Sequence, residues 1–389
     1  MGTHRAKQWF TRALSLGVLL GIASVAAAQG LGSGGVNVLT WQDDTYRTGD
    51  NLNESTITYS TITTDNFGQL CSVQLDGQVY AQPLVVANVT IGGTKYSSVV
   101  YVVTQNDTLY AINGTPSPGQ SCSILASLPF LTTPNLPTNG QLAVDCHHIG
   151  GSGCGTVAPT VGILGTPVIN ISGSTGTIYL VTETQNTQAN TWYHYLYAVD
   201  IQSLTAAAWV QICASGCGNY SSSNFSQGHI QRPGLLFANC GSGCGNLNYV
   251  YVAFSMMDGS GWPYHNGVVF GYNAANLSGG TVFYFQTSKG KGDQSSYGGG
   301  IWMGGAAPAF GTDSSGQSWI YVTTANGVFD LNTGGTNAGD SLLKLNPNRL
   351  AITTPGYFAT SRRWTSSIAT IQAVTHTTTA MISTTAREV

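Results

Sequence analysis

Residues 82–113 read QPLVVANVTIGGTKYSSVVYVVTQNDTLYAIN. The stretch contains a proline-led apolar strand, an aromatic-led strand through Tyr101, and a strand that closes on Asn113. The same unit recurs three times downstream. The copies read GTPVINIS…IYLVTETQ…YLYAVD, RPGLLFAN…VYVAFSMMDG…VVFGYN and APAFGTD…IYVTTANGV…LLKLNP. Their prolines are Pro83, Pro167, Pro233 and Pro308, their central tyrosines Tyr101, Tyr179, Tyr251 and Tyr321, and their closing residues Asn113, Asp200, Asn273 and Asn346. A fourth strand is expected after each closing residue, near 124–131, 208–212, 282–286 and 356–360. Short strands repeated at a loosely fixed period signal a radial all-β array. The expectation is an all-β β-propeller of four-stranded antiparallel blades, with about four recognisable blades in an incomplete ring.

Composition agrees with that class. Charged residues are 7% of 389, against about 25% in an average soluble chain. Gly, Tyr and neutral polar residues take their place, as in a sheet-rich body with uncharged loops. Formal net charge is −3. Arg5, Lys7, Arg12, Arg349, Arg362, Arg363 and Arg387 lie outside residues 30–348, so the body is more acidic than the total suggests. Arg47 and Arg232 are its only arginines. No basic patch exists to attract nucleic acid.

Residues 1–28 read as a secretory signal. Arg5, Lys7 and Arg12 precede an apolar run over 13–25, and Ala26, Ala27 and Ala28 supply small residues before Gln29. That pattern predicts export and cleavage, with a secreted, periplasmic or extracellular destination and no membrane association after cleavage. Eight cysteines in an exported chain suggest disulfides. Local pairing gives Cys213–Cys217, Cys240–Cys244 and Cys146–Cys154, leaving Cys71 with Cys122. A zinc reading competes, because two CxxxC pairs and His147-His148 offer suitable ligand types.

Residues 30–75 form an N-terminal segment, in which 67–75 alternate like the outer strand of a blade closed elsewhere. Blades occupy 76–355. Residues 356–389 change character, with no Gly after Gly356 and with Ser, Thr and Arg enriched. Either a Ser/Thr-rich tail or a frame departing from propeller sequence near Pro355 accounts for this.

In such an array the residues just before the repeat prolines, Gln82, Thr166, Arg232 and Ala307, approach the central channel from one face. The connections 105–108, 183–194, 255–266 and 324–340 share that face. Long loops on a rigid scaffold are the usual home of binding residues. Arg232 could clamp a carboxylate or phosphate, or could serve loop carbonyls. Asp258, Asp330 and Asp340 could bind calcium or cap turns. Glu183 is a ligand-binding candidate on the same face, and His194 and His265 could satisfy loop hydrogen bonds or serve as a base. Trp192, Trp262 and Trp302 could stack on a sugar or flat cofactor, or pack the rim. No nucleophile elbow, P-loop, HExxH or dinucleotide fingerprint is present.

The phrases LYAING, LYAVDIQSLTAAAW and VFGYNAANL resemble pyrroloquinoline-quinone (PQQ) repeats. Leu196, Tyr197, Ala198, Val199, Asp200 and Trp209 carry the likeness best. Over roughly residues 36–348, phrases such as WQDDTYRTGDNLNES, DGQVYAQPLVV and GIWMGGAAPAF resemble large secreted bacterial quinoprotein-like propellers. The resemblance implies the fold. For the family's dehydrogenases it also implies PQQ, a calcium held by Glu, Asn and Asp, and an adjacent-cysteine disulfide. This chain has no Cys-Cys pair, and Glu183 is the only Glu between residues 55 and 387. Three functions follow: a ligand- or partner-binding propeller for a small molecule, glycan or protein; a PQQ- and calcium-dependent alcohol or sugar dehydrogenase; and an envelope scaffold or adhesion module.

Overall fold

The computed structural model describes residues 30–359 except 53–56, 59, 63–67, 117–120, 148–153, 155–156, 218–221, 240–245, 257–265, 279–282 and 290–297; within this, the side chains of 222–224 and 353–359 are also left aside. The chain is all-β, with several antiparallel four-stranded sheets. The first contains β1 (Leu84–Ile91), β2 (Thr94–Val103), β3 (Thr108–Asn113) and β4 (Ile124–Pro129) in chain order. Next come β5 (Leu142–Asp145) and β6 (Thr160–Val161), a small ladder that the sequence pattern did not announce. The second sheet orders β7 (Val168–Ser172), β8 (Thr175–Asn186), β9 (Thr191–Asp200) and β10 (Ala206–Gln211), with β5 also paired to the far end of β8. The helix α1 (Ser222–Gly228) and β11 (His229–Ile230) lead into the third sheet. That sheet is β12 (Leu236–Asn239), β13 (Asn248–Met256), β14 (Gly267–Asn273) and β15 (Phe283–Gln286). The fourth is β16 (Ala309–Thr312), β17 (Ser318–Thr323), β18 (Ser341–Leu345) and β19 (Ile352–Ala359).

Each expected fourth strand is present, with β10 starting two residues early and β19 four. Residues 68–75 are not a strand. They lie over the outer face of the first sheet, where Val73 and Leu75 meet Val102, Tyr110 and Ile112, and the Cys71–Cys122 disulfide ties them down. The fourth-strand position beside β3 already belongs to β4, so this segment caps a face instead of extending an edge.

Strand alternation decides how the sheets stack, because successive side chains point to opposite faces. On β8, Ile178 and Leu180 join the core shared with the first sheet, while Tyr179 and Val181 join the core shared with the third. On β13, Val250, Val252 and Phe254 face the second sheet, while Tyr249, Tyr251 and Ala253 face the fourth. Runs such as TIYLV and YVYVAF are continuously apolar because both faces are buried.

The repeat residues explain how neighbours are joined. Asn113, Asp200, Asn273 and Asn346 each accept, on side-chain Oδ1, the N–H two residues on, at 3.1, 3.0, 2.9 and 2.9 Å. This side-chain-capped turn is a characteristic use of Asn and Asp. The residue after the closing Asn or Asp then receives the preceding repeat's tyrosine. Tyr101 Oη donates to Ile201 O at 2.8 Å, Tyr179 Oη to Ala274 O at 3.4 Å, and Tyr251 Oη to Pro347 O at 2.8 Å. Tyr321 stands at the same repeat position on the outer face of the fourth sheet and is half-buried.

The N-terminal segment meets the first strand of three sheets. Val38 bridges Val85 of β1, Leu39 O accepts the Ile169 N–H of β7 at 2.7 Å, and Thr45 O accepts the Phe310 N–H of β16 at 2.8 Å. Arg47 fixes its end. Nε and Nη2 donate to Pro308 O at 3.1 and 2.8 Å, and Nη1 donates to Thr40 Oγ1, Trp41 O and Asp44 O at 2.7, 3.0 and 2.9 Å. Burial pulls its pKa down to about 10, so it stays charged at neutral pH. Gln42, Asp43 and Arg47 all have positive φ (52°, 64° and 66°), a backbone that costs energy in non-glycine residues and persists only when the surroundings enforce it.

Two stability tests follow. Tyr101→Phe and Tyr251→Phe each leave a buried carbonyl without its donor and are expected to cost about 1–2 kcal/mol; Tyr321→Phe should change stability by less than about 0.5 kcal/mol. Equal effects at all three sites in denaturant titrations would show that the hydroxyl bonds do not join the sheets. Arg47→Ala should cost about 2–4 kcal/mol, and a loss under about 0.5 kcal/mol would show that the inner segment is held without it.

Candidate functional site

The connections expected to share one face are hydrogen-bonded there. Gln105 Nε2 donates to Ile163 O at 2.8 Å, and its Oε1 accepts the Gly162 N–H at 3.1 Å. Gly299 N–H reaches Asn326 O, and Ala325 N–H reaches Gly300 O, both at 2.7 Å. Residues beside the repeat prolines are linked from one sheet to the next. Gln82 N–H donates to Thr166 Oγ1 at 3.0 Å, and Thr166 O accepts the Leu235 N–H at 2.8 Å. Gly234 N–H donates to Ala306 O at 3.1 Å. Pro308 O receives Arg47, and Gln82 Oε1 accepts the Gln42 N–H at 3.2 Å. Gln82 and Thr166 are therefore engaged in these links.

Arg232 differs. Its guanidinium is half-buried and forms no hydrogen bond or ion pair with any described residue. Burial draws its pKa below the ordinary value, and neighbouring Tyr80 pulls the other way. The guanidinium packs on Gly305, where any Cβ would collide with it. Gly305 ends a turn in which Met303, Gly304 and Gly305 have φ of 48°, 58° and 89°. A left-handed Met is strained, and such strain concentrates at functional sites.

An aromatic cluster lies on the same face. Trp192 is buried with Val144, Val161, Leu164 and Ile230, and Tyr80 and Trp302 lie half-buried at its edge. Trp302 also precedes the strained turn beside Arg232. Tyr80 thus belongs both to this cluster and to the surroundings of Arg232. Sequence reasoning placed Trp192, Trp302 and Arg232 on one face, and missed Tyr80.

Glu183 and His194 are not loop residues. The β8–β9 hairpin runs on to Asn186 and Thr191, which makes these two residues cross-strand partners. His194 Nε2 lies 3.3 Å from Glu183 Oε2, and both side chains are buried. The imidazole packs edge-on against Phe254 and Phe225. A pair so enclosed serves the contact between the second and third sheets and not an open face. Asp330 is a turn organiser: its carboxylate accepts the Asn337 N–H at 2.7 Å and Asn337 Nδ2 at 2.6 Å. Asp258, Trp262 and His265 lie outside the described residues, as do Cys240 and Cys244. The other six cysteines pair as Cys71–Cys122, Cys146–Cys154 and Cys213–Cys217. No helix among the described residues is long and apolar enough to cross a membrane.

Asp107, in the β2–β3 connection, carried no signal in the sequence, yet its side chain is fully enclosed. Burial pushes its carboxyl well above 3.8, and the charges of Glu183 and Asp76 push it further. The Glu183 main-chain N–H, close but outside good hydrogen-bond geometry, offsets part of this. A folded carboxyl with a raised pKa holds its proton where the unfolded chain has lost it. Stability therefore falls as pH rises from about 4 through the raised value. Asp107→Asn removes that titration. Melting temperatures measured from pH 4 to pH 9 should decline less steeply for the variant than for the wild type. Parallel profiles would show that Asp107 titrates normally.

Comparison with protein-family models, with curated proteins and with solved structures finds no match for this chain.

Proposed function

We propose that this chain is a secreted, propeller-like module of the PQQ-repeat type that binds an anionic ligand carrying a sugar or flat ring at Arg232, Tyr80 and Trp302. One observation carries the reading. A half-buried guanidinium with no partner among the described residues has given up part of its hydration without gaining a hydrogen bond, and a carboxylate or phosphate would supply a bidentate one. Aromatic faces beside it favour a ring. Stacking of the sheets in chain order, with Tyr101, Tyr179 and Tyr251 each reaching the next repeat, supports the radial arrangement, and the disulfides support export.

The dehydrogenase alternative is a worse fit to the residues present. Calcium takes six to eight oxygen ligands, whereas Glu183 faces His194 inside the contact between two sheets. The adjacent-cysteine disulfide is missing from the sequence.

A thermal melt of the chain from Gln29 tests the reading. Oligogalacturonate, an acidic sugar, should raise the melting temperature by mass action, about 2.7 kcal/mol at a hundredfold excess over its dissociation constant. Arg232→Ala should abolish that shift while its own stability stays within about 1 kcal/mol of wild type. A shift that survives the substitution would sink the site, and a large loss of stability would make Arg232 structural. A shift with PQQ and calcium alone would favour the dehydrogenase.

A further inference from the structure

The loop joining β5 to β6 gathers four metal-ligating side chains that the anion-binding reading does not use. Asp145, Cys146, His147 and Cys154 each bring a donor atom within 4.8 Å of the others. His147 stands among them. Its Nδ1 lies 2.8 Å from Asp145 Oδ1, 3.4 Å from Cys154 Sγ and 3.9 Å from Cys146 Sγ, and its Nε2 lies 3.6 Å from Cys154 Sγ. Asp145 Oδ1 also accepts the His147 N–H at 2.8 Å, which holds the turn that aims the imidazole at the sulfurs.

In the oxidised chain the two sulfurs are joined to each other and offer no thiolate. We propose that reduction of Cys146–Cys154 turns this loop into a site for a zinc-class divalent cation, held by two thiolates, one imidazole and one carboxylate. The reductant is a dithiol. It transfers two electrons and two protons to the disulfide, the S–S bond breaks, and the dithiol leaves as its own disulfide. Each new thiol then releases its proton to water as its Sγ–metal bond forms. The donor set suits zinc, which takes thiolate sulfur at about 2.3 Å and imidazole nitrogen or carboxylate oxygen at about 2.0–2.2 Å in a tetrahedron. Donors in that geometry lie roughly 3.5 Å apart, so on reduction the two sulfurs separate from bonding distance while the other donors, already within 4.8 Å of one another, draw in. Cys213 and Cys217 are both buried in the apolar contact between the second and third sheets, whereas in the Cys146–Cys154 pair Cys146 is buried and Cys154 is half-buried beside the exposed His147, which leaves one sulfur within reach of a dithiol.

The test uses the chain from Gln29, reduced anaerobically with a dithiol and titrated with Co2+ as the spectroscopic probe. One equivalent is expected to give the visible absorption of tetrahedral cobalt with a thiolate charge-transfer band, and Zn2+ should bleach both. The oxidised chain should show neither. His147→Ala and Cys154→Ser should weaken binding at least about tenfold, since even ligand-supporting residues are worth about that much. A Cys213→Ser/Cys217→Ser variant should keep the site. Melts of the oxidised His147→Ala chain check folding, since that side chain is mostly exposed. Absence of the charge-transfer band, a band indifferent to His147→Ala and Cys154→Ser, its loss in the Cys213/Cys217 variant, or equal binding by the oxidised chain would each overturn the proposal. So would a reduced chain that is unfolded and stays unfolded with Zn2+.

Discussion

The tyrosine hydroxyl that crosses from one sheet to the next is the constraint on which the array depends. A sheet with two apolar faces cannot stand alone in water, so the second and third sheets need a neighbour on each side. Apolar contact has no direction and would tolerate sliding. A buried phenol, by contrast, needs an acceptor at a fixed place. The Asn or Asp that closes each repeat provides it indirectly. By capping the N–H two residues on, it fixes the turn whose first carbonyl meets the tyrosine. Two short phrases of sequence, distant in the chain, thus specify one contact, and repetition of the phrases repeats the contact.

The N-terminal segment shows the same preference for carbonyl acceptors over charge pairs. With so few acids available, Arg47 is solvated entirely by main-chain carbonyls and one hydroxyl. Five donors in a rigid fork can satisfy several carbonyls at once, which an ammonium cannot do with the same geometry. Removing a buried ion-pair partner strands the remaining charge, whereas carbonyl solvation is spread over three carbonyls on two stretches of chain. The segment carrying Arg47 thereby links the first, second and fourth sheets at the first strand of each.

The periodic features were legible in the sequence. The prolines mark strand entries, the tyrosines and closing residues mark the joints, and apolar alternation marks the faces. Three of the four proposed cysteine pairs are those the structure makes. What was not legible is non-periodic. The 67–75 alternation resembled a strand, but alternation reports one buried face and not a hydrogen-bonded neighbour. Glu183 and His194 read as loop residues because polar residues interrupt the apolar run, although the hairpin continues through them and buries both. Its place before Pro233 singled out Arg232 in the sequence, while nothing there told what Arg47 does. The difference between a saturated guanidinium and an unsatisfied one exists only in three dimensions. The short β5–β6 ladder was missed because two to four residues carry too little pattern to register.

That ladder sits where the chemistry of this face converges. Val144 of β5 and Val161 of β6 pack into the cluster containing Trp192, with Tyr80 and Trp302 at its edge. Asp145 and Cys146 follow directly in sequence, so the Cys146–Cys154 loop is anchored to the wall beside Arg232. The connections on this face are tied to one another by main-chain and glutamine hydrogen bonds. On the binding reading proposed above, an arginine set among connections fixed in this way would lose little rotamer freedom to a ligand, so more of each new hydrogen bond would remain as affinity. The strained Met303–Gly305 turn under the guanidinium serves the same end. With glycine at 305 the guanidinium can pack directly on the turn, where any side chain would collide with it.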